Sequence, residues 1–554
     1  MTRRERSTLI AIWFFLGLLP LLVRPLWEPD EGRYAEIARE MLATGDWLTP
    51  RLNGVLYFEK PPLQYWLSAL SMKLFGLNGA AARLPLALAS GLMIWAAWRL
   101  AKRLGAREPL WAPFMAATGL LAFVVGQLLT LDALFSAFLV AGIVAFIEAV
   151  ARRREGQPSL GWTLLTFALL AGAMLTKGLA EVILTGGILL FSLAFAWKDA
   201  DLRRAVLRTA LDPLGWLLYL ALVAPWFWAV NRANPGHAQF FFIHEHFTRF
   251  LTHEHARQGS NNWLLDKLYF IGILALGLLP WLSATLVGLK RSWIFLKGRG
   301  PQAQDHLARW IVGITVMAFL WPLAFFSVSG SKLPPYILPV LVPLAALACT
   351  FERDGEEITA LRRMGKELIL LGGIFMLAAA IFRGDLEGFA WILALGAGFL
   401  GLGLWAHRPK GLSGPRLMAA FGAALWLLLL AAQAAAGPGK AVADLVRKSP
   451  QDARWISYGT YFQGLSFYAR TRSVVVAGTG ELAFGRDRLT DAERWFNEDP
   501  AALGAMADRM KAEDPSRPVL VMAKVANWRQ LGADEKARWE VVVRSPAAVV
   551  ARRR

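Results

Sequence analysis

The sequence predicts a polytopic α-helical membrane protein with about 13 transmembrane helices, interfacial helices on one side and a C-terminal α/β domain. Three observations carry that prediction. Hydrophobic residues make up 56% of the 554 residues, with 24 tryptophans among them, far outside the average of soluble globular proteins. Apolar runs long enough to cross a bilayer, roughly 17–25 residues, recur along the first 436 positions. After Gly437-Pro438-Gly439 the composition shifts to alternating β-like and helical patterns.

The spans fall at 8–26, 80–101, 109–127, 131–150, 160–176, 179–197, 211–230, 264–289, 308–328, 335–351, 367–382, 388–406 and 416–436. Met1 to Ser7 carries three arginines ahead of the first run and offers no cleavage site followed by polar sequence, so it reads as an uncleaved first span. With the N-terminus inside, the inside connections hold 26 Lys and Arg, while the short outside ones hold little beyond Lys177, Lys332 and Arg383. The net charge of +19 follows from this topology and needs no nucleic-acid partner. Cys349 is the single cysteine, so no intramolecular disulfide forms.

Three outside segments exceed a turn: 27–79, 231–263 and 437–554. The first contains two amphipathic stretches, Glu31 to Thr44 and Leu63 to Phe75, expected as helices lying along the interface. The last alternates expected strands (Trp455 to Tyr458, Ser473 to Ala477, Val519 to Met522, Trp539 to Val543) with expected helices (Ala441 to Lys448, Tyr461 to Arg470, Asp491 to Asn497, Ala501 to Glu513). The domains are therefore a transmembrane part, 1–436, and an α/β part, 437–554. Gly478-Thr479-Gly480 alone is no nucleotide fingerprint, and no nucleotide is expected.

Charged residues cluster in these outside segments, where the lipid-water boundary gives acids and bases a reason to gather. Asp30 and Glu31 follow a proline at the exit of the first span, at a helix start whose positive end stabilises carboxylates. Taken alone they are as well explained by helix capping as by chemistry. Glu59 and Lys60 in the same segment, the His244-Glu245-His246-Phe247-Thr248-Arg249 run, and Lys332 with Tyr336 supply company on the same side. Lys60, Arg249 and Lys332 are cations where topology asks for none; phosphate needs such partners, and interfacial snorkelling is the competing account. Asp132 opens the fourth span as either a helix cap or part of an aqueous cavity, and Lys177 with Glu181 reads as a local surface pair. His244 and His246 cannot share a helix face, which leaves a divalent site completed by a distant carboxylate against solvated loop histidines.

The motifs Asp30-Glu31-x-Arg33-Tyr34-Ala35-Glu36, Gly45-Asp46-Trp47, Tyr57-Phe58-Glu59-Lys60-Pro61, Glu245-His246-x-x-Arg249-Phe250 and Ser331-Lys332-Leu333-Pro334-Pro335-Tyr336-x-Leu338-Pro339 resemble the bacterial aminoarabinose transferases, relatives of the protein O-mannosyltransferases within the GT-C superfamily. The resemblance implies the GT-C fold and transfer of 4-amino-4-deoxy-L-arabinose from undecaprenyl phosphate to lipid A phosphate. It places the reaction at the periplasmic face of the bacterial inner membrane and implies polymyxin resistance. It implies Asp30 as the catalytic carboxylate, with Glu31 and Asp132 as further acidic candidates. Lys60, Arg249 and Tyr336 would hold the carrier phosphate, with Arg33, Tyr57 and Lys332 beside them. Glu59 and His244 would bind a divalent ion such as zinc. Other readings are a GT-C transferase for another sugar or acceptor, and a lipid-linked sugar transporter, which predicts charged or broken helices near the bilayer midplane.

Overall fold

The computed structural model describes residues 1–248, 263–300, 302–350, 356–381, 386–406, 419–428 and 438–554. The chain divides into two compact units, Met1–Leu21 with Pro85–Ala435, and Leu22–Leu84 with Ala436–Arg554. The polar segment 27–79, grouped with the spans in the sequence reading, thus clusters with the C-terminal residues.

The first unit is helical. Among the described residues six helices are long and apolar enough to span a membrane, or seven if one bent pair is counted, and four shorter apolar helices accompany them. The Leu131–Arg154 helix is buried over most of its length. It packs closely on Leu160–Lys177 through glycines: a Cβ on Gly142 would meet Leu170 at 2.8 Å, and one on Gly172 would meet Phe138 at 2.8 Å. Small residues let membrane helices approach where water offers no driving force.

Two expected spans are interrupted. Residues 264–289 form not one span but two helices, Leu264–Gly277 and Leu282–Leu296, which meet at 114°. Pro280 cannot donate a helical hydrogen bond, and the freed amides of Leu282 and Ser283 donate to Glu367 at 2.9 and 2.6 Å. Likewise 109–127 breaks at Gly119 into Trp111–Thr118 and Leu120–Val125. The two breaks satisfy each other: the Leu120 amide donates to the Leu279 carbonyl at 3.1 Å, and Trp281 Nε1 donates to Thr118 Oγ1 at 3.0 Å. Irregular backbone survives among apolar helices only where protein supplies the missing partners.

The second unit is α/β. A short hairpin pairs β1 (Arg51–Leu52) with β2 (Val55–Leu56). A six-stranded sheet runs β5-β4-β3-β6-β8-β7, from β3 (Arg454–Tyr458), β4 (Val474–Val476), β5 (Phe496–Asn497), β6 (Val519–Lys524), β7 (Trp539–Arg544) and β8 (Ala548–Arg553). Strands β3 to β6 pair in parallel, whereas β8 runs antiparallel to both neighbours. Alternate residues build two cores: Ile456, Val519 and Val521 pack with Leu503, Met506 and Met510 on one face, while Trp455, Leu520 and Met522 pack with Leu445 and Leu465 on the other.

Strands β5 and β8 were not expected. β5 has only two residues inside a stretch read as helix, and β8 ends in Ala-Arg-Arg, which resembles a solvated tail; its inward residues Val549 and Ala551 are fully buried. The Asp30–Thr44 helix also departs from expectation. Rather than lying amphipathically along an interface, it is buried continuously from Glu31 to Met41, because its charged side chains find partners inside the unit.

Candidate functional site

The site residues in the second unit are set by the first turn of the Asp30–Thr44 helix. Asp30 keeps half of its side chain exposed (50%), with Arg33 Nη2 at 3.3 Å. Glu31, its neighbour, is 1% exposed and fully engaged. Arg24 donates to its two carboxylate oxygens at 2.5 and 3.0 Å, Arg83 donates to both at 2.7 and 2.9 Å, and the Trp27 amide donates at 2.7 Å. Arg83 also donates to the carbonyls of Arg24 and Pro25 at 2.7 and 2.5 Å, tying the chain entering the helix to it. Burial alone would push the Glu31 carboxyl up, but the Arg83 and Arg24 guanidiniums outweigh it and hold it at about 2. Glu31, expected as a further catalytic acid, is therefore a buried anchor whose carboxylate oxygens are taken by two guanidiniums and a backbone amide, while its neighbour Asp30 stays half exposed.

Arg33 is 5% exposed and lies between two acids, since its Nε is also 2.9 Å from Glu481, from the turn after β4. Gln463 donates to the same Glu481 oxygen. Gly32 makes this packing feasible: a Cβ there would approach the Gly464 amide nitrogen to 2.5 Å. The Gly464 amide instead donates to Glu28 at 2.7 Å. Burial pushes the Glu28 carboxyl up to about 8 against that hydrogen bond.

Tyr57 is 2% exposed, and its hydroxyl has no hydrogen-bond partner among the described residues. Burial, with the Glu59 charge nearby, holds the phenol well above its ordinary range. The Tyr65 hydroxyl is likewise buried and unsatisfied, its ring stacked on Tyr34 with centroids 6.0 Å apart. Such orphan donors fit a polar ligand. Glu59 and Lys60 are half-buried, and Lys60 Nζ donates to the Glu59 carbonyl at 2.6 Å.

The site residues in the transmembrane unit form their own cluster. Asp132, 9% exposed in the first turn of Leu131–Arg154, is ion-paired with Lys177 at the end of Leu160–Lys177. Lys177 Nζ sits 4.2 Å from the Tyr336 ring centroid, 5.4 Å from that of Phe135 and 5.8 Å from that of Phe326. An ammonium on aromatic faces with a carboxylate partner is held firmly. The sequence reading paired Lys177 with Glu181; Glu181 instead faces Thr185 and Tyr219, because the turn at Gly178 separates their directions. Lys332 is 1% exposed, pairs with Asp266 at 3.0 Å and donates to the Ser329 carbonyl, so it fixes the turn ahead of the 3-10 stretch Pro334–Val340.

Arg249 lies outside the described residues, as does the side chain of His244, whose backbone belongs to the π-helical segment Gln239–Thr248. Among the described residues no group of three or more His, Cys, Asp or Glu is placed to hold a metal ion. Sequence reasoning missed Arg24, Arg83 and Glu481, and gave Lys177 only as a surface partner of Glu181. For Arg24 and Arg83 the one signal was charge at the ends of apolar runs; Glu481, in the C-terminal domain, offered none.

A family model described as dolichyl-phosphate-mannose-protein mannosyltransferase matches residues 59–228. The undecaprenyl phosphate-alpha-4-amino-4-deoxy-L-arabinose arabinosyl transferase of Edwardsiella ictaluri is 36% identical over 376 residues, which cover 66% of this chain and 64% of that relative. The protein of the same name from Pseudomonas aeruginosa strain LESB58 is 33% identical over 452 residues, 77% of this chain and 75% of its own length. The crystal structure of ArnT from Cupriavidus metallidurans bound to undecaprenyl phosphate superposes with a TM-score of 0.74 at 25% identity, covering 99% of this chain and 97% of that one. The fold is thus the GT-C architecture that the motifs led us to expect. On the Pseudomonas relative, the chain belongs to the family of the undecaprenyl phosphate-alpha-4-amino-4-deoxy-L-arabinose arabinosyl transferases.

Proposed function

We propose that this chain transfers 4-amino-4-deoxy-L-arabinose from undecaprenyl phosphate to a phosphate of lipid A, at the periplasmic face of the bacterial inner membrane. The observation that carries the reading is the first turn of the Asp30–Thr44 helix in a chain of this family: Glu31 is consumed as an anchor while Asp30 stays half exposed beside Arg33. The bias of Lys and Arg toward the inside connections supports a cytoplasmic N-terminus and a periplasmic C-terminal domain.

Breaking the bond between sugar C1 and the carrier phosphate passes through an oxocarbenium-like state with a phosphate leaving group. Lys60, Arg249 and Tyr336 are the groups assigned to that phosphate, where cations stabilise the charge that develops as the bond opens. A lipid A phosphate is already an anion and needs no general base. Asp30 then steadies positive charge at C1 or orients the acceptor or the sugar amine. The buried, unsatisfied hydroxyls of Tyr57 and Tyr65 are suited to sugar oxygens. Glu59 and His244, a carboxylate and an imidazole, suit a divalent ion such as zinc, which would add positive charge beside the carrier phosphate.

The test is expression in a polymyxin-sensitive host that makes the lipid-linked aminoarabinose but lacks its own transferase, with lipid A read by mass spectrometry. The reading expects a pentosamine adduct on lipid A and raised polymyxin resistance. A different sugar on lipid A, or an unmodified lipid A beside a modified glycan or protein, would replace it.

A further inference from the structure

The transmembrane unit holds a cavity, lined in part by a carboxyl, that the proposed reaction does not use. It lies among the helices Leu131–Arg154, Leu160–Lys177, Ala180–Phe195 and Pro213–Ala233 and has a volume of about 380 Å³. Small-molecule sites run from about 300 to 1,000 Å³. The walls are apolar and aromatic, with Phe146, Phe167, Leu170 and Trp216 prominent. At the mouth, Val182 and Trp216 are 48% and 45% exposed on apolar helices, so the cavity opens onto an apolar surface.

One carboxyl stands in this apolar lining. Glu181 is 3% exposed; its Oε1 accepts from the Thr185 hydroxyl at 2.9 Å and its Oε2 from the Tyr219 hydroxyl at 3.0 Å. No Lys, Arg or His forms an ion pair with it among the described residues. Two hydroxyls satisfy its lone pairs but not its charge, and an ionisable group among membrane helices calls for a partner. Aromatic faces border it: Trp216 packs edge-on against Tyr219 at 5.6 Å and against Phe167 at 5.4 Å.

We propose that this cavity binds a cationic amphiphile, a single hydrocarbon chain ending in a primary or quaternary ammonium. The ammonium supplies the charge that Glu181 lacks and meets aromatic faces suited to a cation, while the chain lies along Phe146, Phe167 and Leu170. Charge complementarity sets this occupant apart from anionic lipids, whose phosphates Glu181 would repel. The site is independent of the glycosyl-transfer reading, because its test measures binding alone.

The experiment uses the full-length protein in a neutral detergent at pH 7, with dodecylammonium and dodecanol as probes and the thermal unfolding midpoint as readout. The wild type is expected to bind the amine at least about tenfold more tightly than the alcohol. Glu181→Gln is expected to bring the two probes level, and Val182→Trp, which fills the mouth and keeps the carboxyl, to lose both. Equal affinity of the wild type for amine and alcohol overturns the proposal, whatever becomes of the variants. So does a Glu181→Gln protein that retains the preference.

Discussion

Two helix starts carry an expected catalytic carboxylate in their first turn, and they end up in opposite situations. In the second unit Asp30 keeps half its carboxylate in solvent while the adjacent Glu31 takes Arg24 and Arg83. In the transmembrane unit Asp132 has no such neighbour and is itself taken by Lys177, with 12% of each side chain exposed. A carboxylate at a positive helix end is stabilised in both places, so location at a helix start does not mark the reactive one. What separates them is whether another acid nearby absorbs the structural cations.

The widest separation between the two regions comes from removing the anchor. Glu31→Gln leaves two buried guanidiniums facing a neutral amide, and is expected to cost about 3–5 kcal/mol of stability in the second unit. Limited proteolysis and denaturant titration should show that loss, and a protein as resistant as the wild type would mean the arginines find other acceptors. In the transmembrane unit Lys177→Met strands Asp132, but both side chains reach solvent, so about 1–3 kcal/mol is expected. The double variant Asp132→Asn/Lys177→Met should recover most of it, since the double change removes the unpaired charge; an additive loss would show that Lys177 acts through the Tyr336 ring instead. Gly32→Ala forces a Cβ to 2.5 Å from the Gly464 nitrogen and is expected to cost about 1–3 kcal/mol, visible as a lower unfolding midpoint.

The smallest effect at neutral pH should come from Glu28→Gln, because an amide replaces a carboxyl already held protonated. Its folded value of about 8 lies above the ordinary 4.5, so its contribution to stability is complete below about 4.5 and is lost as pH rises through about 8. The substitution should flatten that decline. For Glu31, held at about 2, the sign is opposite: its contribution is present above 4.5 and is lost as pH falls toward 2. Unfolding midpoints across pH 4 to 9 for wild type and Glu28→Gln check the first of these.

Much of this was legible in the chain. The apolar runs, the change of composition after Gly437 and the Leu63–Phe75 helix follow from periodicity alone. What periodicity misses are decisions made by partners far along the chain. Glu31 looked equivalent to Asp30 because Arg83, which saturates it, lies 52 residues away in the stretch read as the second apolar span. Asp132 and Lys177 are 45 residues apart, and Glu481 reaches Arg33 from the other end of the sequence. The broken helices at Gly119 and Pro280 stayed hidden for a similar reason: each looks like a continuous apolar run, and the hydrogen bonds that permit the break come from another segment.

The central claim is that Asp30, not Glu31, is the carboxylate that takes part in transfer. Lipid A mass spectrometry on membranes carrying matched amounts of folded wild type and Asp30→Asn measures it most directly. The account predicts a pentosamine adduct from the wild type and about 10²–10³-fold less from the variant, with unchanged unfolding behaviour. An adduct of equal intensity from the Asp30→Asn protein would contradict it.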